Sequence, residues 1–238
     1  MHKDTKTPYP TCQFCSSREA SVFCDLNHED LEEINMNKGA NHYKKGQIIF
    51  EEGFRPQGIF CINEGKIKIA KRGDRGKEQI IRLAKDGDII GYRALISGEN
   101  YSASAYALED SIVCMIPRQQ FTETMQRNPA LTHKLIYLLT HDLKLAEHKI
   151  TELAQKPVRE RLAESLIMLK QTYGFEKDNK TLNVVLSRED FANLVGTATE
   201  TVIRLLSDFN SEKLIQLDGK KISLLNVPKL LSLANIED

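Results

Sequence analysis

After Pro129 the chain runs to residue 154 without glycine or proline, and Ile136, Leu139, Leu143, Ala146, Ile150 and Leu153 recur at 3-4-3-4-3 spacing. That spacing is the a/d seam of a long helix, sustained over nearly three heptads. Leu131, Leu135, Leu138 and Leu145 form a second apolar stripe on the same helix. A helix with two apolar stripes is expected to pack one face on its own domain and the other on a partner helix. A symmetric homodimer is therefore preferred to a core helix in a monomer.

The texture is different between Tyr43 and Pro117. Short alternating runs such as Gly46-Gln47-Ile48-Ile49-Phe50 and Gly65-Lys66-Ile67-Lys68-Ile69 are punctuated by glycines. Turn signals at roughly ten-residue spacing predict an antiparallel β-roll. Before it, Leu26–Ile34 reads as a short helix with Asn27 as N-cap and acids in the first turn. Pro8 and Pro10 discourage regular structure in the segment ahead of that helix. After the long helix, Gln155-Lys156-Pro157 marks a hinge. A helix over Val158–Tyr173 stopped by Gly174, a strand over Leu182–Leu186, two more helices and a hairpin about Asp218-Gly219 are then expected. The class is α+β. Its parts are a cysteine-bearing segment (1–25), a β-roll sensor domain (26–128), a dimerisation helix (129–155) and a winged helix-turn-helix (156–238).

Composition narrows the setting. With 41% hydrophobic and 28% charged residues over 238 positions, the chain is an ordinary globular one. No apolar run approaches the roughly 20 residues of a membrane span, and no apolar leader follows Met1. A cytoplasmic location without membrane partners is expected, where five cysteines are thiols or metal ligands rather than disulfides. Net charge is zero, so any nucleic-acid binding has to come from a local surface.

That surface is legible from Leu186 to Leu206. Ser187 with Asp190 is a capping signal, Phe191, Leu194 and Val195 form an apolar face, and Gly196 supplies a turn. Val202, Leu205, Leu206 and Phe209 are the buried side of the second helix, leaving Thr199, Glu200, Ile203 and Arg204 outward. Those are the positions from which a recognition helix meets base edges. Arg204 can donate twice to guanine, Glu200 can accept from cytosine N4, and Ile203 can meet a thymine methyl. Lys220 and Lys221 on the hairpin are candidate phosphate contacts, and Ser187 joins this DNA-binding set. Double-stranded DNA is the expected partner. No nucleophile–base constellation, H-E-x-x-H or Walker loop occurs, so catalysis is not expected.

The order of roll, long helix and winged helix-turn-helix resembles the Crp/Fnr family of bacterial transcription regulators, from about Leu26 to Leu233. The most specific matches are Gly196 with Glu200-Thr201-Val202-x-Arg204-Leu205-Leu206, and Arg159-Glu160-Arg161-Leu162-Ala163 after the hinge. The resemblance implies a homodimer on a palindrome, TGA-like half-sites read by Glu200 and Arg204, and RNA polymerase as a further partner. Ala198 stands where a Ser or Thr is usual, so Thr197 or Thr199 is expected to cap the helix. Ile203 replaces a small residue.

The resemblance also frames the sensor. A cyclic-nucleotide pocket of this family needs an acid for the ribose and an Arg-Ser pair for the phosphate. Here Tyr92 and Tyr101 stand at the acid and arginine positions, with Arg93 and Ser102 as neighbours, so cAMP is not the expected effector. The alternative reading, a small-ligand module whose C-terminal helices serve protein interaction, relies on that same pocket. The oxygen-sensing branch holds an iron–sulfur cluster on N-terminal cysteines and one from the roll. Cys12-Gln13-Phe14-Cys15 and the run around Cys114 are similar to it, with Cys24 in a C-x2-C-x8-C spacing in place of C-x2-C-x5-C. Iron–sulfur, zinc and uncoordinated or redox-active thiols all remain open for Cys12, Cys15, Cys24 and Cys114. Cys61, in the strand pattern Ile59-Phe60-Cys61-Ile62, reads as a buried apolar thiol. His141 and His148, a heptad apart, read as lying on a solvated face of the long helix. All six seam positions are apolar, so a constitutive dimer is expected, with any signal reorienting the recognition helices about the hinge at 155–157.

Overall fold

The computed structural model describes residues 11–73 and 76–235, and Pro8 and Pro10 fall outside them. Two short 3-10 turns, Cys12–Phe14 and Ser16–Arg18, lead to α1 (His28–Asn37). This helix starts where predicted because the Asn27 side chain accepts the Asp30 N–H at 2.8 Å. The roll follows as β1 (Gly39–Tyr43), β2 (Ile48–Phe50), β3 (Gly58–Glu64), β4 (Lys66–Arg72), β5 (Glu78–Lys85), β6 (Ile89–Ile90), α2 (Tyr92–Ser97), β7 (Ser104–Ala107) and β8 (Ser111–Pro117). Two four-stranded sheets result, in the orders β1-β8-β3-β6 and β2-β7-β4-β5. Between β3 and β4 only a glycine fits: at Gly65 φ is +118°, and a Cβ there would lie 2.1 Å from Ser111 Oγ.

In β3 and β8 the antiparallel register sets Cys61 directly opposite Cys114. Residues so paired project from the same face of the sheet.

Helices α3 (Arg118–Arg127) and α4 (Pro129–Gln155) complete the helical frame of the roll. Leu131 and Leu135 of the inner stripe are buried in a core with Phe23, Leu31, Ile59 and Phe121. The chain divides into two compact units, Met1–Lys68 with Ala84–His141, and Ile69–Leu83 with Asp142–Asp238. Leu145 therefore departs from its stripe: it lies past the first unit's end at His141 and is exposed. On the seam, Ile136, Leu143 and Ile150, each seven residues from the next, are 53%, 60% and 67% exposed in the single chain.

The second unit contains α5 (Val158–Tyr173), α6 (Arg188–Val195), α7 (Thr199–Ser211), β9 (Ile215–Asp218), β10 (Lys221–Leu224) and α8 (Val227–Ala234). Helix α5 ends at Gly174, whose φ of +70° no longer continues a helix. The expected strand over Leu182–Leu186 is not formed. Only single bridges join Phe175 to Leu182 and Thr181 to Ser223. Leu182, Val184 and Leu186 are still buried alternately, so the pattern reflects burial of an extended segment without a partner to complete a ladder. Among the described residues no helix is long and apolar enough to cross a membrane.

Candidate functional site

Ser187 closes a capping box on α6: its hydroxyl accepts the Asp190 N–H at 2.9 Å, and its own N–H donates to Asp190 Oδ2 at 3.1 Å. Phe191, Leu194 and Val195 are buried as expected. Gly196 then turns the chain in the left-handed region, where a Cβ would lie 2.7 Å from Leu153 Cδ2. The next helix corrects one expectation. Its N-cap is Ala198, and no side-chain cap bond is made there by a threonine. On α7 the residues Val202, Leu205, Leu206 and Phe209 are buried, while Glu200, Ile203 and Arg204 are exposed and Thr199 is half-buried. The fold thus brings these four predicted residues onto one outward face at the start of one helix.

The Asp218-Gly219 hairpin is present, as β9 and β10 in antiparallel register. Lys220 is exposed at its turn, whereas Lys221 pairs with Glu176 at 2.8 Å, and that carboxylate raises the ammonium pKa. Arg188, absent from the sequence-based set, joins the start of α6 to this hairpin by donating to the Gly219 carbonyl at 3.0 Å. Its Nη1 is buried without a partner, and burial lowers its pKa. Only its place after the capping serine hinted at this position.

Arg161 connects the hinge to the turn. Its guanidinium donates to the carbonyls of Leu153 and Lys156 at 3.3 and 3.0 Å, and to those of Val195 and Gly196 at 3.0 and 3.1 Å. The side chain is buried, so a replacement without donors strands these acceptors. Arg161→Met is expected to lower stability by roughly 3 kcal/mol, since hydrogen bonds to charged groups are worth about 1.5–3 kcal/mol each. Denaturant unfolding of the two proteins checks this, and an unchanged midpoint would show the clamp to be idle. Nearby, His148 Nε2 lies 2.6 Å from Glu164 and Lys156 lies 2.7 Å from the same carboxylate. Burial pushes the Glu164 pKa up, but Lys156 and His148 outweigh it and leave it lowered. His148 is exposed on the solvated face its heptad position implied, and from there its ring reaches Glu164 of α5.

The four residues expected at an effector pocket fall in two settings, two buried and two exposed. Tyr92 is buried in the core, and Tyr101 is buried and stacked on Phe50 with ring centroids 4.1 Å apart. Burial pushes the Tyr101 hydroxyl up to about 12. Arg93 and Ser102 meet instead at an exposed position, 3.2 Å apart.

The thiols are arranged differently from their order in sequence. Cys12, Cys15, Cys61 and Cys114 line one cavity of about 50 Å³ together with Lys38 and Arg18. Lys38 Nζ lies 3.8 Å from Cys114 Sγ, and the Asn63 amide donates to Cys15 Sγ at 3.1 Å. Burial raises the pKa of Cys12 and Cys114, opposed in both by Lys38, and raises that of Cys61 well above its usual value. Cys24 does not line this cavity: Lys134 Nζ donates to its sulfur at 2.8 Å, and it contacts Asp25. Among the described residues, no three His, Cys, Asp or Glu side chains already converge enough to hold a metal ion. Thiolates nevertheless suit iron–sulfur clusters and zinc, and the buried Arg18 Nε at the cavity lacks a hydrogen-bond partner. The set fits such a group in donor type and charge.

Residues 40–128 match the cyclic nucleotide-binding domain, and residues 160–233 match the Crp-like helix-turn-helix domain. The fumarate and nitrate reduction regulatory protein of Vibrio cholerae is 30% identical over 229 residues, covering 94% of this chain and 90% of that protein. Its namesake from Escherichia coli K12 is 30% identical over 227 residues with the same coverages. Among solved structures, FixK2 of Bradyrhizobium japonicum has a TM-score of 0.75 at 23% identity, covering 84% of this chain and 99% of its own. A transcriptional regulator from Eubacterium rectale has a TM-score of 0.72 at 21% identity, covering 90% of this chain and 97% of its own. The sequence likeness over nearly the whole chain, together with the roll and the helix-turn-helix, shows that this protein belongs to the Crp/Fnr family of transcription regulators.

Proposed function

We propose that the protein acts without catalysis, in the cytoplasm, as a homodimer that reads a palindrome with TGA-like half-sites and answers a redox or metal signal. The observation that carries the DNA reading is the outward face of Glu200, Ile203 and Arg204 at the start of a helix whose opposite side is fully packed. One such helix per protomer docks in the major groove of each half-site, about one helical turn apart. The exposed Lys220 at the hairpin turn is the candidate phosphate contact, and phosphate contacts fix register without reading sequence. RNA polymerase is the partner through which a bound regulator of this family acts.

The exposed seam on α4 supports the dimer. Ile136, Leu143 and Ile150 recur one heptad apart with no charge among the six seam positions. From the end of that helix, the Arg161 bonds at Leu153 and Lys156 continue to the carbonyls of Val195 and Gly196. A small rotation of α4 in the dimer would therefore pass through Arg161 to the turn that sets the recognition helix.

The cysteine cavity is the sensing site in this reading. A sulfur-ligated centre held there supplies one-electron chemistry if it is an iron–sulfur cluster, or a structural clip if it is zinc. Against the small-ligand alternative, Tyr92 and Tyr101 are buried in the interior, and the Arg93–Ser102 pair is exposed. The deciding experiment is a gel shift of the full chain, prepared without oxygen, on palindromic and scrambled duplexes at one stated salt concentration. Specific retardation of the palindrome is expected, and equal affinity for both duplexes would sink the regulator reading.

A further inference from the structure

We infer that the fourth sulfur donor of this chain's metal-binding set is Cys61, beside Cys114 on the neighbouring strand of the same sheet, and that Cys24 stands outside the set. This assignment rests on the thiol cavity being the sensing centre. Thiolate sites for zinc or iron–sulfur commonly take four sulfurs, and a C-x2-C pair supplies two of them. Along the sequence a second close pair is missing. The fold supplies one: Cys61 and Cys114 are opposed in the register of β3 and β8, which places their Cβ atoms about 4.5–5.5 Å apart on one face.

The other pair is brought over the same face by the two 3-10 turns. The Cys12 N–H donates to Asn35 Oδ1 at 3.1 Å, and the Ser17 hydroxyl donates to the Asn63 carbonyl on β3. Asn63 also holds Cys15 through its amide. Cys24 lies nine residues beyond Cys15, and its thiol is engaged by Lys134 of α4, which also pairs with Asp25. Moving Cys24 into the cavity would break that arrangement, whereas Cys61 already lines the cavity from a strand.

Charge supplies the independent argument. A divalent ion on four thiolates leaves about two negative charges in the site. Burying them uncompensated is strongly unfavourable. The cavity is lined by two cationic side chains, Lys38 and Arg18. Lys38 lies beside Cys114, and Arg18 offers a buried N–H with no acceptor in the protein. A donor left orphaned beside four thiols is accounted for by an anionic sulfur centre, whose ligand sulfurs accept such bonds and are tuned by them.

The test loads the full chain anaerobically with ferrous iron and sulfide, and separately with zinc alone. Metal per protomer, visible absorption and the number of sulfur neighbours by X-ray absorption are read for the parent, Cys24→Ala and Cys61→Ala. Full metal content with four sulfur neighbours in Cys24→Ala supports the assignment, as does loss of metal in Cys61→Ala. Because alanine trims a packed strand, thermal unfolding of metal-free Cys61→Ala is compared with the parent, and the Cys24→Ala arm decides if that variant is unfolded. Loss of metal from Cys24→Ala overturns the assignment, and so does full retention by folded Cys61→Ala. A parent chain that takes up neither metal overturns the sensing reading beneath it and the Cys61 assignment with it.

Discussion

Arg204→Ala is expected to weaken binding to the palindrome by roughly 2–6 kcal/mol, because each dimer loses one bidentate guanine contact of about 1–3 kcal/mol per half-site. The exposed guanidinium lies one turn beyond Glu200 on α7, whose far side is anchored by Val202, Leu205, Leu206 and Phe209. Removing the side chain leaves that packing untouched, so thermal stability should hardly change. Discrimination at the guanine position should flatten along with affinity. Fluorescence anisotropy against the palindrome and single-base variants at one ionic strength measures both. Lys220→Ala provides the contrast: losing one phosphate contact per protomer weakens all duplexes alike and reduces the salt dependence of the dimer by about two counterions. If Arg204→Ala left the ranking of base variants unchanged, α7 would not be the reading helix.

Much of this site could be read from the chain because its determinants are local. The Ser187–Asp190 capping box, the Gly196 turn and the apolar face of α7 all lie within a few residues of one another. The same holds for the 3-4 repeat of α4. Properties that depend on distant partners were hidden. Cys61 reads correctly as a thiol in a strand, but nothing nearby says that Cys114 lies opposite it. The displaced Cys24 looks like a third ligand in sequence because spacing does not reveal Lys134, 110 residues away. Arg161 is one of several charges in an amphipathic helix until the carbonyls of two separate segments meet it. Helix α8 was also missed. Its start depends on the Asn226 side chain accepting the Lys229 N–H, with Pro228 in the first turn, after a hairpin that the pattern already explained. The unformed strand at 182–186 makes the converse point: alternation records burial, and a ladder also needs a partner edge.

Leu143→Glu is expected to dissociate the dimer and to reduce palindrome affinity by about 10²–10⁴-fold, the gain that linking two half-site contacts ordinarily provides. In a two-fold arrangement the same residue approaches its own copy, so one substitution places two carboxylates in the seam. Each faces an effective desolvation penalty of several kcal/mol, and their mutual repulsion adds to it. Every 1.4 kcal/mol is a tenfold change in the dimer constant. Leu143 is 60% exposed in the single chain, so the monomer itself should tolerate glutamate with little loss of stability. That separates a lost interface from a damaged fold. Lys144→Gln, also on an exposed position but outside the six-residue seam, changes the net charge by the same single unit, serves as the charge-matched control and should leave mass and binding near those of the parent. Light scattering of metal-free protein gives the oligomeric state, and gel shift gives the affinity. Because all six seam positions are apolar, the parent should be a dimer with or without metal. A metal-free parent that is monomeric would mean that the signal controls assembly. A Leu143→Glu dimer that still bound DNA would place the interface on a different face of α4.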